Sequence, residues 1–280
     1  METIINYFET IPAHHRGIII VSGITFFWLL EGVIPLFKFD YKKWKHAIPN
    51  LFFTLTTIVV NLGLAWMFLI AADWVKANDF GIINWLPQMS LWLYVLMGVL
   101  LLDFFGAYLA HFVEHKVKPL WMVHLVHHTD HKVDTTTANR HHPIESIIRF
   151  SFTLLGIFVV GTPIAIVMLY QAMSLVFTQF THANLKMSKR VDKALSYFIV
   201  SPDMHKTHHH YRLPYTDSNY GNIFSIWDRI FGTYMYMERE NLVYGVDVFP
   251  DEVKNSNIKD LLKQPFQKYE KPTLSADSKE

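Results

Sequence analysis

The sequence predicts an all-α, polytopic membrane bundle. It should have about four membrane-embedded helical regions, the last a hairpin, and a helical cap on the cytoplasmic side. Three observations carry this. Of the 280 residues, 51% are hydrophobic, and these gather into long blocks in the first two-thirds of the chain, as membrane spans do. Of the 16 histidines, 13 fall between residues 111 and 210, directly after the third block and around the fourth. From residue 186 onward the chain is polar and mixed, and it reads as folded outside the bilayer.

The first block, residues 17–37, has about the 20 residues needed to cross a bilayer as a helix. It carries one acid, Glu31, near its Pro35 end. An acid within a span is a functional candidate by default, but this position favours an interfacial or helix-packed carboxylate. The basic segment KFDYKKWKH follows, then a second block at 48–72, the weakly charged loop DWVKANDFGIINW, and a third block at 86–109 that runs into Lys116 and Lys118. Positive residues favour the cytoplasmic side, so the first loop and the histidines are expected inside, the N-terminus and second loop outside. The fourth region, 147–181, is broken by Gly161-Thr162-Pro163, a turn signal that suggests a hairpin entering and leaving on one side. The expected organisation is membrane helices over 1–110, a histidine-rich region over 111–240 and a polar tail over 241–280, its end KPTLSADSKE disordered.

Composition removes several chemistries. There is no cysteine, so disulfides, thiolate metal sites, haem-thiolate ligation and iron–sulfur clusters are absent. A net charge of +1 gives no field for nucleic acid. The opening METIINYFETIP lacks the basic region of a secretory signal. There is no HExxH order, no GxSxG elbow and no Glu/ExxH carboxylate pattern.

What remains is imidazole. HFVEH sets His111 and His115 four apart; HLVHH sets His124, His127 and His128 at i, i+3 and i+4; HKTHH repeats that with His205, His208 and His209. Residues three or four apart share a helix face, so each cluster aims two or three rings at one point. NRHHPIE adds His142, and THANL adds His182 at the end of the returning hairpin. Ten imidazoles suit two metal ions with four or five nitrogens each, and imidazole suits iron, copper, zinc and nickel. One such pair is commonly ordinary packing; the whole set is not. His131, His141 and His210 flank the pattern out of phase and read as supporting or solvated residues, His14, His15 and His46 as interfacial ones, and Glu114 as lying off the ligand face.

These residues resemble the fatty acid hydroxylase and sterol desaturase superfamily. The resemblance covers residues 103–233, as DFFGAYLAHFVEH, LWMVHLVHH, TTTANRHHPIE, THANL, HKTHHHY and SNYGNIFSIWDRIFGTY in order. It implies a di-iron site, open to zinc in protein purified aerobically, ligated by the ten histidines His111, His115, His124, His127, His128, His142, His182, His205, His208 and His209. It implies O2-dependent hydroxylation or desaturation of a fatty acyl, sterol or related lipid, with electrons from a cytochrome b5-like protein or a ferredoxin and its reductase. Asp103, Asn184, Tyr220 and Asp228 match retained polar positions and are expected to brace the ligands. Phe112 stands where many relatives have arginine. A bacterial inner membrane is the favoured location, the endoplasmic reticulum the other. A membrane di-zinc hydrolase and a non-catalytic metal-binding protein are the competing readings; a transporter would place its ligands near the bilayer midplane, whereas these gather at one side.

Overall fold

A computed structural model describes residues 1–269. Among them there is no strand, only three isolated bridges such as Pro35 with Leu185. Five helical stretches are long and apolar enough to cross a membrane: Ala13–Val33, Lys43–Asn84, Leu91–Lys116, Pro143–Val160 and Ile164–His182. The expected hairpin is therefore two helices, each long enough to span.

A short helix α1 (Glu2–Glu9) precedes α2 (Ala13–Val33) and α3 (Lys43–Ala77). At 35 residues α3 is roughly 52 Å long, so it projects well beyond a hydrocarbon core of about 30 Å. After α4 (Leu91–Asp103) the helix widens into a π-helical turn, Phe104–Leu109, and continues as α5 (Ala110–Lys116). Then come α6 (Lys118–His128), α7 (Pro143–Val160) and α8 (Ile164–His182). Short helices α9 (Lys189–Leu195), α10 (Pro202–His208), α11 (Ile226–Ile230) and α12 (Ile258–Lys263) complete the described chain. The polar stretch from 241 is folded as far as residue 269: Leu261 is fully buried against Phe53 and Val126. KPTLSADSKE lies outside the described residues.

The bundle core is apolar and interlocked. Phe68 of α3 stacks on Phe150 of α7, ring centroids 4.1 Å apart, within a cluster that includes Val99, Leu102, Ile157 and Ile166. Outward residues such as Leu29, Val59, Trp66 and Leu96 are exposed, as suits helices facing lipid. At the end away from the histidines, two loops meet on glycine. Gly161 caps α7 in the left-handed region, φ +87°, and Gly81 stands against it at φ +106°. A Cβ on Gly161 would fall 2.5 Å from the Phe80 carbonyl oxygen.

At the other end, buried polar groups tie helices to loops. Glu31 is the helix-packed acid anticipated above: it pairs with Lys43 at 2.8 Å and accepts from the backbone N–H groups of Thr135 and Asn184. His46, expected at the interface, instead sits between Asp130 (2.8 Å) and Asp134 (3.1 Å). Arg140 is buried and donates to Val126 O, Asn50 Oδ1, Thr129 Oγ1 and Asn255 O. All three nitrogens of that fork, and four of its five N–H groups, have an acceptor, which makes burial of a guanidinium tolerable.

Gly161→Ala should destabilise the protein by about 1–3 kcal/mol, since it forces a side chain into the left-handed region and against a carbonyl. Thermal unfolding in detergent checks this. Gly63→Ala, where a Cβ meets nothing within 4 Å, is the control and should be neutral or slightly stabilising.

Candidate metal centre

The helical spacing read from the sequence places the rings as expected. In one group, ligand atoms of His111, His115, His124, His128 and His208 all lie within 4.8 Å of one another; in a second, those of His127, His182, His205 and His209 do. All nine residues are buried. The groups are adjacent, with His128 and His209 rings 4.7 Å apart and His124 and His127 5.3 Å apart.

Hydrogen bonding fixes which nitrogens face inward. His111 Nδ1 donates to the Tyr220 carbonyl at 3.0 Å, His208 Nδ1 to Ser218 O at 2.6 Å and His182 Nδ1 to Thr178 O at 2.7 Å. His124 Nδ1 donates to Glu145 Oε1 at 2.7 Å. A neutral imidazole has one N–H, so each of these rings turns a bare lone pair inward from Nε2. Yet His111 Nε2 and His124 Nε2 are 3.1 Å apart, with no proton to share. His182 Nε2 stands 3.0 Å from His127 Nε2, 3.0 Å from His205 Nε2 and 3.1 Å from His209 Nε2. Nitrogens that share one ion at about 2.1 Å lie roughly 3.0–3.4 Å from one another. Buried His208 Nε2 and His115 Nε2 have no protein partner. Lone pairs converging at this spacing fit metal ions and fit no closed protein network.

Burial depresses the pKa of His124, His127, His128, His205, His208 and His209 well below the ordinary imidazole range, and the neighbouring rings depress it further. Each is thus held in its ligating, neutral form.

His142, the tenth histidine expected as a ligand, joins neither group. It caps α7: its Nδ1 accepts from Ile144 N–H at 3.2 Å, and its Nε2 donates to Leu262 O at 3.3 Å. The cause is Pro143, which holds the preceding residue extended (φ −58°, ψ 143°) and turns its ring away. His141, read as out of phase, packs on His127 at 5.0 Å and lies with it on the same cavity. His131 and His210 stay outside both groups.

Of the four positions expected to brace the ligands, Asp103 and Asp228 act at one remove. Asp228 accepts from the N–H groups of Tyr220 and Gly221, and Asp103 from those of Ile223 and Phe224. Together they hold the loop whose carbonyls orient His111 and His208. The Tyr220 ring packs on His111, His115 and His208. Asn184 binds the Phe37 backbone rather than a histidine. Phe112 packs on Tyr220. Two contributors went unread in the sequence, Glu145 and Arg149. Arg149 bridges Glu145 at 3.0 Å and the fully buried Glu114 at 2.8 Å, behind His124. Their i, i+4 spacing after the histidine pair was the available signal.

A cavity of about 450 Å³ runs between α2, α3, α7 and α8 and ends on His111, His127, His141, His182 and His205.

Glu145→Ala frees the His124 ring, and metal affinity should fall about 10–100-fold; metal content against chelator concentration measures it, and an unchanged curve would refute the bracing role. Lowering pH should destabilise the metal-free protein. Unfolded histidines take up protons near pH 6.5 while the buried rings resist, so stability is lost progressively below about that pH. A thermal midpoint that stays flat from about pH 7.5 to 5.5 would contradict this.

Residues 95–233 match the family model described as fatty acid hydroxylase. The chain is similar to the ornithine lipid hydroxylase OlsE of Rhizobium tropici, 23% identical over 223 residues, covering 78% of this chain and 66% of that protein. It is also similar to alkylglycerol monooxygenases: that of Xenopus tropicalis at 31% identity (60% of this chain, 36% of the relative) and that of Homo sapiens at 27% (51% and 31%). The chain thus spans about two thirds of the first relative and about a third of the others. No solved structure matches it. With this match, the two buried histidine groups and the five apolar helices, the chain belongs to the fatty acid hydroxylase superfamily.

Proposed function

We propose that this is a multi-pass membrane oxygenase that holds two iron ions and hydroxylates or desaturates a lipid, using O2 and electrons from a separate redox protein. One ion takes His111, His115, His124, His128 and His208; the other takes His127, His182, His205 and His209, with His141 as its fifth nitrogen. The observation that carries the reading is the cavity, which opens among membrane helices and closes on histidines of both groups. The relatives' names, a lipid hydroxylase and alkylglycerol monooxygenases, support the same chemistry.

Bound iron would supply O2 reduction and the oxidising power for an unactivated C–H bond. The chain's own work is to bind, orient and exclude. All-imidazole donors add no negative charge to the ions. Glu145, with Arg149 and Glu114 behind it, fixes the His124 ring; the Tyr220 and Ser218 carbonyls fix His111 and His208. Gly106 and Ala107 line the cavity beside His111, and Thr153 and Tyr170 pack against Gly106. Lys38, Lys42, Lys43, Lys45, Lys116 and Lys118 gather at the histidine end, which favours the cytoplasmic side for the site.

Protein loaded anaerobically with iron should contain about two irons per chain, counting five nitrogens per ion, and should consume O2 only with reductant and lipid. Tight zinc that iron cannot displace, with no O2 uptake from any lipid, would overturn the reading in favour of a hydrolase. Within it, His141→Ala should lower iron toward one per chain, while His142→Ala keeps two and loses only helix-cap stability of about 1 kcal/mol. The reverse result would return His142 to the ligand set.

A further inference from the structure

The cavity has two polar ends. Most of its polar side chains are satisfied within the protein. Thr54 donates to Asn50 O, Thr57 bonds Ser146, Thr153 donates to Arg149 O, and Thr178 and Asn222 bond each other and Ser174. Three are not. Among the described residues, the side chains of Arg16 on α2, Asn61 on α3 and Gln171 on α8 make no hydrogen bond or ion pair, and all three line this cavity. They come from three different membrane-spanning helices. A polar side chain left without a partner on an apolar, membrane-spanning helix is a functional candidate by default.

Their position along the bundle follows from helix geometry. Lining positions on α8 recur as Gln171, Ser174, Thr178 and His182, so the cavity follows the helix axis. Gln171 to His182 is roughly 16 Å along the axis. Helices α2 and α8 run in the same sense, since their C-terminal ends meet where Glu31 binds Asn184 N–H. Gly23 packs directly on the Gln179 side chain. Arg16 lies roughly 10 Å before Gly23, and Gln179 roughly 5 Å before His182. Both routes place the unpartnered groups about 15 Å from the histidines. Between the two ends the wall carries Ile20, Ile58 and Leu175 beside the internally hydrogen-bonded Ser174 and Thr178. Beside Gly17 a Cβ would meet nothing within 4 Å, so Arg16 has open space next to it. Among the described residues no aspartate or glutamate lines the cavity, and the charged lining residues are Arg16 and Arg149. Arg149 is already neutralised by Glu114 and Glu145, which leaves Arg16 as the free cation.

We propose that Arg16, Asn61 and Gln171 form a subsite for the anionic group of the substrate lipid, a carboxylate or phosphate, so that the atom to be oxidised lies about 15 Å along an alkyl segment from that anion. A guanidinium with two amide donors is the donor set that oxyanions call for. The metal end adds Asn139, which lines the cavity beside His141 and whose side chain makes no hydrogen bond or ion pair among the described residues. The proposal rests on the oxygenase reading for the word substrate, but the subsite itself is a matter of binding.

The test is therefore binding without turnover. Full-length, metal-loaded protein is held under nitrogen without reductant, and lipid retention is read by native mass spectrometry. The probes share one alkyl chain and carry a carboxylate, a phosphate or an uncharged glycerol. Wild type should hold at least one anionic probe roughly tenfold or more tighter than the uncharged one, as a charge-assisted pair allows. Arg16→Gln should erase that preference, Arg16→Lys should keep part of it, and Asn61→Leu and Gln171→Leu should weaken it several-fold. Whichever anion is retained identifies the group. Equal retention of all three probes, or an anion preference that survives Arg16→Gln, overturns the subsite. An unchanged thermal midpoint in Arg16→Gln excludes misfolding, since Arg16 has no protein partner to lose. Anion preference in a protein that never consumes O2 would sink the oxygenase reading alone; O2 consumption with no preference would sink the subsite alone.

Discussion

Bare nitrogen lone pairs facing each other at about 3 Å in a buried site repel, and the rest of the molecule is organised around meeting that condition. His111 and His124 each spend their one ring proton on an outward acceptor, Tyr220 O and Glu145. Their inward nitrogens then have only a cation to satisfy them. Acceptors behind the rings therefore matter as much as the rings. A histidine free to rotate would turn its N–H inward, pair with its neighbour and close the site without a metal.

Those acceptors come from distant parts of the chain, and the fold exists to bring them together. The loop that carries Ser218 and Tyr220 is held by Asp228 from α11 and is joined to α4 through Asp103. The segment between α6 and α7 is fixed from the membrane side by Glu31, His46 and Asn50, and from the C-terminal side by Asn255, which share Arg140, Asp130 and the threonines between them. Burying so many ionic groups is costly unless all are paired. Here they are paired across elements, so the network specifies arrangement rather than adding bulk stability. The widened turn at Phe104–Leu109 belongs to the same logic. It lets a single rod serve as a membrane span and then present His111 and His115 at a phase a regular helix would not give.

How much of this was legible follows from periodicity. The helices and eight of the nine converging histidines were readable because both obey the 3.6-residue repeat, in hydropathy or in the HxxxH and HxxHH spacing, and His182 because it ends the returning hairpin. The position of His142 outside both groups was not. It is set at a helix N-cap, where no repeat operates and the backbone constraint from Pro143 decides. The role of Glu145 and the burial of His46 were hidden for a related reason: each depends on partners far off in sequence, Glu145 on His124 and His46 on Asp130. Folding of the chain as far as residue 269 was not read because its apolar anchors, Leu242, Tyr244, Val246 and Leu261, are scattered along a polar stretch, and the rest is held by backbone carbonyls such as that of Asn255, which composition does not reveal.

The division between chemistry and selectivity follows from where these parts lie. The family segment, 95–233, contains every histidine of both groups and the acids that hold the loop between them. It leaves out α2 and α3, and with them Arg16, Asn61 and one whole wall of the cavity. The relatives are named for lipids as different as ornithine lipids and alkylglycerols. A metal site built from mutually dependent rings tolerates little change, since moving one ring exposes the lone pairs of the others. A lipid-facing wall is under no such constraint, because each of its residues meets the ligand separately. On the proposed function, substrate choice falls to the part of the chain where sequence can vary without unmaking the centre.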